Sequence, residues 1–249
     1  MTEGKTYIYG RHALVEALTN SPRSVKKVFL MPQFSDAELD ALIKKSGVSV
    51  STMSDGKNPQ GSDSSKVRQG IIGLLALGGL LKPFKEFADE LKVSPDTCLV
   101  LLDELQDPHN FGAIIRSAAA LGVTAILVPE HNQVPITSAV VKVSAGMAFR
   151  IPLVTVPNVN TALRELKTKG FWIYGMDETA THNLNTEKFD APTVFVMGNE
   201  GDGIRQKTLE ICDVLLSIPM NKRCESMNVA ASAAVTLYAW SIQHPDALI

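Results

Sequence analysis

Between residues 97 and 243 short apolar runs alternate with segments of helical periodicity, and that alternation limits the fold more than any other feature. Cys98–Leu102, Thr124–Val128, Ile151–Val156, Phe171–Met176, Thr193–Met197 and Val214–Ile218 read as strands. Helical spacing fills Phe111–Leu121, Ser138–Ala145, Thr161–Lys169 and Met227–Gln243. Strands that alternate with helices imply an α/β fold with a mainly parallel sheet covered on both faces. Ligands of such sheets gather in the loops beyond the carboxyl ends of the strands. Upstream, helix Arg11–Thr19, strand Lys27–Met31, helix Asp36–Ser46, strand Ser49–Met53 and strand Gly70–Leu75 predict a small α/β/α sandwich. Ser54–Ser65 is turn-rich, and Gly78-Gly79 with the charged Lys82–Lys92 segment reads as a linker holding a short amphipathic helix. The expected division is a domain at 1–76, a linker at 77–96 and a second domain at 97–249.

The 249 residues suffice for two cores, and 45% hydrophobic with 20% charged residues is a globular balance. No run approaches the roughly 18 apolar residues of a membrane span. Met1-Thr2-Glu3-Gly4-Lys5 shows no basic patch before an apolar core, so no signal peptide and a cytoplasmic location are expected. Three scattered cysteines, Cys98, Cys212 and Cys224, argue against a disulfide framework and against a zinc site. The five histidines are equally dispersed and read as surface or capping residues. Net charge is −2, but residues 1–75 carry ten Lys/Arg against seven Asp/Glu, whereas residues 76–249 carry fourteen against nineteen. A basic N-terminal part on an acidic body is compatible with an RNA grip attached to a catalytic domain.

Three segments stand at strand-to-helix junctions. The first runs from Leu102 through Asp107-Pro108-His109-Asn110 to Arg116, where Asp107 or Asn110 capping a helix is the plain structural reading. The second is Gly198-Asn199-Glu200-Gly201-Asp202-Gly203, whose three glycines in six residues allow close backbone approach. Its spacing fits neither a dinucleotide fingerprint nor a Walker loop, and Glu200 would repel phosphate, so a polar or cationic ligand suits it better. The third joins Ile218-Pro219-Met220 to Ser226-Met227-Asn228-Val229 and a helix of small residues, with Ser226 as the plain candidate cap.

In order and spacing, Asn110-x-Gly112-x-x-x-Arg116, Gly198-Asn199-Glu200-Gly201-x-Gly203 and Ile218-Pro219-Met220 with Ser226-x-Asn228-Val229 resemble the three-motif signature of SpoU/TrmH-type RNA ribose 2′-O-methyltransferases, across residues 97–243. Tyr9-Gly10-Arg11-His12-Ala13-Leu14 and Gln69-Gly70-Ile71 resemble the substrate-binding extension of the branch that methylates rRNA guanosine. The resemblance implies a C-terminal SPOUT domain with a deep trefoil knot, an N-terminal domain similar to ribosomal proteins that bind kinked RNA, and a homodimer formed through the C-terminal domain. It implies S-adenosylmethionine as methyl donor, S-adenosylhomocysteine as product, no metal, and a guanosine of the peptidyl-transferase P-loop of 23S rRNA as substrate. Gly198, Asn199, Gly201, Ile218, Met220 and Met227 would contact the cofactor; Arg11, Lys26, Lys27 and Arg68 would contact RNA. The chain departs from the pattern in the charged loop Asn221–Glu225, in Met227 for a leucine, in Arg68 for a histidine and in Phe149-Arg150 for an acidic or polar pair.

The same resemblance places Arg116 at the ribose and its phosphate. A guanidinium stays protonated at any ordinary pH, so Arg116 is a poor general base. The expected role is to clamp phosphate and lower the hydroxyl pKa, with Asn110, Ser226 and Asn228 orienting groups and Glu200 fixing the loops. Two other readings are a tRNA ribose methyltransferase, against which the N-terminal extension argues, and a non-enzymatic RNA-binding or assembly factor. Intact Asn110, Arg116, Glu200, Ser226 and Asn228 argue against the latter.

Overall fold

The computed structural model describes residues 4–53, 59–62, 70–76 and 79–249. The chain forms two compact units, one from the described residues up to Leu81 together with Ile136–Arg150, the other from Lys82–Pro135 and Ile151–Ile249. The first contains β1 (Lys5–Tyr9), α1 (Arg11–Asn20), β2 (Val25–Leu30), α2 (Ala37–Ser46), β3 (Ser49–Thr52) and β4 (Ile71–Ala76). The sheet order is β1-β4-β2-β3, with β2 and β3 parallel and β4 antiparallel to both its neighbours. Sequence periodicity passes over β1, because Lys-Thr-Tyr-Ile-Tyr becomes a strand only by pairing with β4, far along the chain. Its alternation then sorts the faces. Ile8 turns with Leu14 of α1 toward Gly73, while Tyr7 and Tyr9 join Phe29, Met31, Met53 and Ile72 on the other side. α2 carries every end signal a helix can use. Asp36 accepts from Leu39 N–H, acids fill the first turn, Lys44 and Lys45 the last, and Gly47 ends it at φ 66°.

The second unit holds an eight-stranded sheet in the order β10-β12-β9-β11-β6-β7-β8-β5. Its elements are β5 (Leu81–Pro83), α3 (Phe84–Glu90), β6 (Cys98–Leu102), α4 (Pro108–Ala120) and β7 (Ala125–Pro129), after which α5 (Ser138–Val143) belongs to the first unit. Then come β8 (Leu153–Val156), α6 (Val159–Thr168), β9 (Trp172–Met176), β10 (His182–Asn183), β11 (Thr193–Met197), α7 (Gln206–Leu209), β12 (Val214–Ser217) and α8 (Val229–Ser241). The pairings from β10 across to β8 are all parallel. β6, β7 and β11 are buried at every position, which is why they read as unbroken apolar runs. The stretch read as a linker supplies core. Phe84, Phe87 and Ala88 of α3 pack with Leu99, Leu127, Val154 and Phe171.

Residues 136–150 fall in the middle of the expected C-terminal domain, yet they group with the first unit. The Arg150 guanidinium forks onto the nearly buried Glu16 of α1, Nε to Oε2 at 2.7 Å and Nη2 to Oε1 at 2.8 Å. That pairing holds the Glu16 carboxyl below its usual range. Ser21 Oγ donates to the carbonyl of Phe149 at 3.3 Å, and α5 packs on β1.

Gly73 is closely packed, since a Cβ there would lie 2.7 Å from Leu14 Cδ1 and 2.9 Å from Ile8 Cγ1. Gly73→Ala overpacks that face and should destabilise the protein by about 1–3 kcal/mol, measured as a lower urea midpoint at unchanged slope.

Candidate active site

β6 and β11 run side by side with Leu102 opposite Met197, and Asp103 N–H donates to the Met197 carbonyl at 2.8 Å. Their carboxyl ends therefore launch two loops from one point. The loop after β11 closes on itself. Asn199 and Gly203 exchange backbone hydrogen bonds of 3.0 and 3.2 Å, and Asn199 Oδ1 accepts from Gly201 and Asp202 N–H at 2.7 and 3.1 Å. Gly198 is obligatory here, because a Cβ would lie 2.4 Å from the carbonyl carbon of Gly203. Gly203 itself adopts φ 68°.

At the loop tip, Glu200 reaches the start of α4. Its carboxylate accepts from Gln106 and Asp107 N–H, each at 3.2 Å, and from Asn110 Nδ2 at 2.9 Å. Partial burial works against the ionised form, but the Asn110 amide and these backbone donors outweigh it, and the Glu200 pKa is lowered. Asn110, 9% exposed, accepts from Asn228 Nδ2 at 2.9 Å through its own Oδ1. Asn228 Oδ1 in turn accepts from Ala230 and Ala231 N–H, so Asn228, not Ser226, caps α8. Asp107 caps α4 by accepting from His109 N–H at 2.8 Å. One chain of hydrogen bonds thus joins the glycine loop to the starts of two helices.

Beside this chain lies a cavity of about 880 Å³ at the ends of β9, β11 and β12. Gly198, Asn199, Gly201, Ile218, Met220 and Met227 all line it, as do Glu200, Ser226 and Asn228. Asn110 adjoins it through Glu200 and Asn228. Arg116 stands apart, exposed on α4 two turns further on, and its side chain makes no hydrogen bond or ion pair with the other described residues. Of the expected RNA contacts, Arg11 is engaged with Asp36 and Glu38. Lys26 is exposed, Lys27 lies 5.3 Å over the ring of Phe29, and Arg68 is outside the described residues. Among the described residues no His, Cys, Asp and Glu cluster could hold a metal, and no helix is long and apolar enough to cross a membrane. Burial raises the thiol of the buried Cys98 well above its usual pKa and that of the half-buried Cys212 to about 12.

The SpoU rRNA Methylase family model matches residues 97–238 of this sequence. The chain belongs to that family. A second family model, RNA 2′-O ribose methyltransferase substrate binding, matches residues 7–76. Among relatives of this SpoU protein, the 23S rRNA (guanosine-2′-O-)-methyltransferase RlmB of Neisseria meningitidis is 34% identical over 232 residues, covering 92% of both chains. The SpoU methyltransferase AviRb of Streptomyces viridochromogenes, solved in complex with AdoMet, superposes with a TM-score of 0.79 at 22% identity over 98% of this chain and 92% of its own. The TrmH/SpoU tRNA modifying enzyme of A. aeolicus reaches a TM-score of 0.55 at 27% identity, over 66% of this chain and 83% of its own.

Four side chains of this site carry no signal in the motifs. Asp103, fully buried, pairs with Arg205, and Glu104 pairs with the same guanidinium; Asp177 lines the cavity from the end of β9. The only trace in the sequence is a carboxylate ending the apolar Cys98–Leu102 run.

Because folding lowers the Glu200 pKa, its bonds stabilise the protein fully above the ordinary glutamate value of about 4.3 and lose their effect as pH falls through the lower folded value. The stability gap between wild type and Glu200→Gln, followed by urea denaturation, should therefore stay constant from neutral pH to about 5 and shrink in more acidic buffer.

Proposed function

We propose that this SpoU-family chain transfers the methyl group of S-adenosylmethionine to the ribose 2′-hydroxyl of a guanosine in the peptidyl-transferase region of 23S rRNA, in the cytoplasm. The observation that carries the reading is the 34% identity to a 23S rRNA guanosine methyltransferase over 92% of both chains. The two family models add that both a methylase and a substrate-binding part are present. A tRNA substrate is less favoured, because the tRNA-modifying neighbour corresponds to only 66% of this chain.

The cavity suits the cofactor on its own features. Its volume falls in the range of small-molecule sites, about 300–1,000 Å³. Met197, Ile204, Leu216, Ile218 and Met220 give it an apolar wall, and Asp177, Glu178, Glu200 and Asp202 line it with negative charge suited to a sulfonium and an ammonium. Gly198, Asn199, Gly201, Ile218, Met220 and Met227 would hold it, largely by backbone groups at the glycines. Bound there, S-adenosylmethionine supplies an electrophilic methyl group, leaving S-adenosylhomocysteine. We read the loops around this cavity as the knotted segment that the family resemblance implies.

The chain's own residues then have to present the hydroxyl. Asn110, with its donor and acceptor both committed, has a single orientation, and Glu200 and Asn228 set it. Arg116 holds the ribose phosphate and lowers the hydroxyl pKa, while the departing proton passes to water or a neighbouring group. Ser226 is exposed and lines the cavity, and on this reading it orients the substrate by hydrogen bonds. Arg11, Lys26, Lys27 and Arg68 supply the RNA grip; Arg11 also braces α2 through Asp36 and Glu38. No step requires a metal.

We further propose a homodimer through the C-terminal unit. Val235, Tyr238 and Ile242 of α8 and the turn after it are 40%, 60% and 61% exposed and share one helical face. α4, the helix of Arg116, packs on α8.

Transfer of labelled methyl to deproteinised large-subunit rRNA and to bulk tRNA, followed by nuclease mapping, tests the activity. Label should appear on one rRNA guanosine, and Arg116→Ala should lower the rate by about 10²-fold, the value of a well-placed charged contact, with cofactor affinity unchanged. Label on tRNA would replace the substrate, and absence of cofactor binding would favour a non-enzymatic factor. An ionisation missing from the pH–rate profile of Arg116→Lys would make Arg116 the base after all. For the dimer, Tyr238→Glu should sediment as a monomer where the wild type sediments as a dimer.

A further inference from the structure

We propose that Asp103 and Arg205 are positioning residues of the methyl-transfer site, an ion pair that pins the glycine loop so that one side walls the cofactor and its tip delivers Glu200 to Asn110. This rests on the reading of the large cavity as the cofactor site.

Asp103 is the first residue after β6 and is 0% exposed. Its carboxylate is satisfied by one residue. Oδ1 accepts from Arg205 Nε at 2.9 Å and Nη2 at 2.6 Å, and Oδ2 accepts from the Arg205 backbone N–H at 3.0 Å. The remaining arm, Nη1, bonds Glu104 Oε1 at 2.7 Å. Arg205 is the exit residue of the loop. The entrance is tied to the same dipeptide, because Asn199 Nδ2 donates to the Glu104 carbonyl at 3.0 Å. Both ends of Asn199–Arg205 are thus fastened to Asp103-Glu104.

Beyond the pin, the loop is tied by the Glu200 bonds at its tip. Ile204 is the one apolar residue of the loop that enters the core, so the segment has little burial of its own to hold it. Glu104 adopts φ 65°, a conformation that disfavours a side chain. It is held by Arg205 and by Asn132 Nδ2, which donates to its carboxylate at 3.1 Å. A buried ion pair is rarely a net source of stability compared with apolar residues of the same size. Its use here is geometric: a forked guanidinium fixes direction as well as distance. Arg205 lines the cavity while Asp103 lies behind it, so the pair transmits the register of β6 and β11 to the cofactor wall.

The test is calorimetric titration of the full-length protein with S-adenosylmethionine, beside single-turnover methylation at saturating cofactor. Arg205→Lys keeps the charge and loses the fork; it should weaken cofactor binding by about tenfold or more, as loss of charged hydrogen bonds does, and slow the saturated step because Glu200 is displaced. Glu104→Gln leaves no buried charge unpaired and should weaken binding less, by about threefold. Asp103→Glu combined with Arg205→Lys restores the span and should recover part of the affinity, which a general loss of stability would not do. Normal affinity in folded Arg205→Lys overturns the proposal; if that variant does not fold, normal affinity in Glu104→Gln does so instead. Gly198→Ala separates the two readings. If it binds as wild type does, the cavity assignment falls and the pin with it; if it alone loses affinity, only the pin falls.

Discussion

The parallel pairing of β6 with β11 places Leu102 opposite Met197, and the site is a consequence of that register. Two strands nearly a hundred residues apart end together, so the loops that leave them are neighbours at once. Asp103, next after Leu102, is carried under the glycine loop, where a buried carboxylate needs a partner. Arg205 supplies it. A one-residue slip would turn Asp103 to the opposite face and leave both charges unanswered.

From that anchored loop the organisation spreads by hydrogen bonds of short reach. Glu200 collects three donors at the start of α4, Asn110 passes the constraint on, and Asn228 spends its remaining oxygen on capping α8. Helix starts leave backbone N–H groups without partners, which makes them natural terminals for carboxylates and amides. Here one carboxylate and one amide serve two helices and also hold the margin of a cavity. That economy explains why residues with structural roles as caps also stand at a cavity: the same oxygen atoms that satisfy the helices fix the groups at its margin.

The N-terminal unit shows a related device. Residues 136–150 leave the parallel sheet region and settle with α1 and β1, where Arg150 meets Glu16. Phe149-Arg150, a departure from the pattern at the level of sequence, has a partner in the structure. Glu16 lies nearly buried against the Gly146–Arg150 segment, and without that guanidinium its charge would be uncompensated.

The α/β character, most strands of the parallel sheet and the three polar segments at its carboxyl edge were legible in the residues, because apolar periodicity and turn chemistry are local properties. Helix starts were legible less well: Ser226 offered a plausible cap, and Asn228 took the role because its amide could also reach Asn110. β1 and the core role of α3 were not legible, since each depends on a partner distant in sequence. The sequence by itself determined which groups were available: the glycines that let a loop close tightly, and Asn110, Glu200 and Asn228 as polar ends. Only the tertiary structure decided who met whom, setting Glu200 on Asn110, Arg205 on Asp103, and Arg150 on Glu16. The physical reason is that a buried polar group takes whatever partner strand register and chain crossing bring within about 3 Å, and neither is encoded in any local window of sequence.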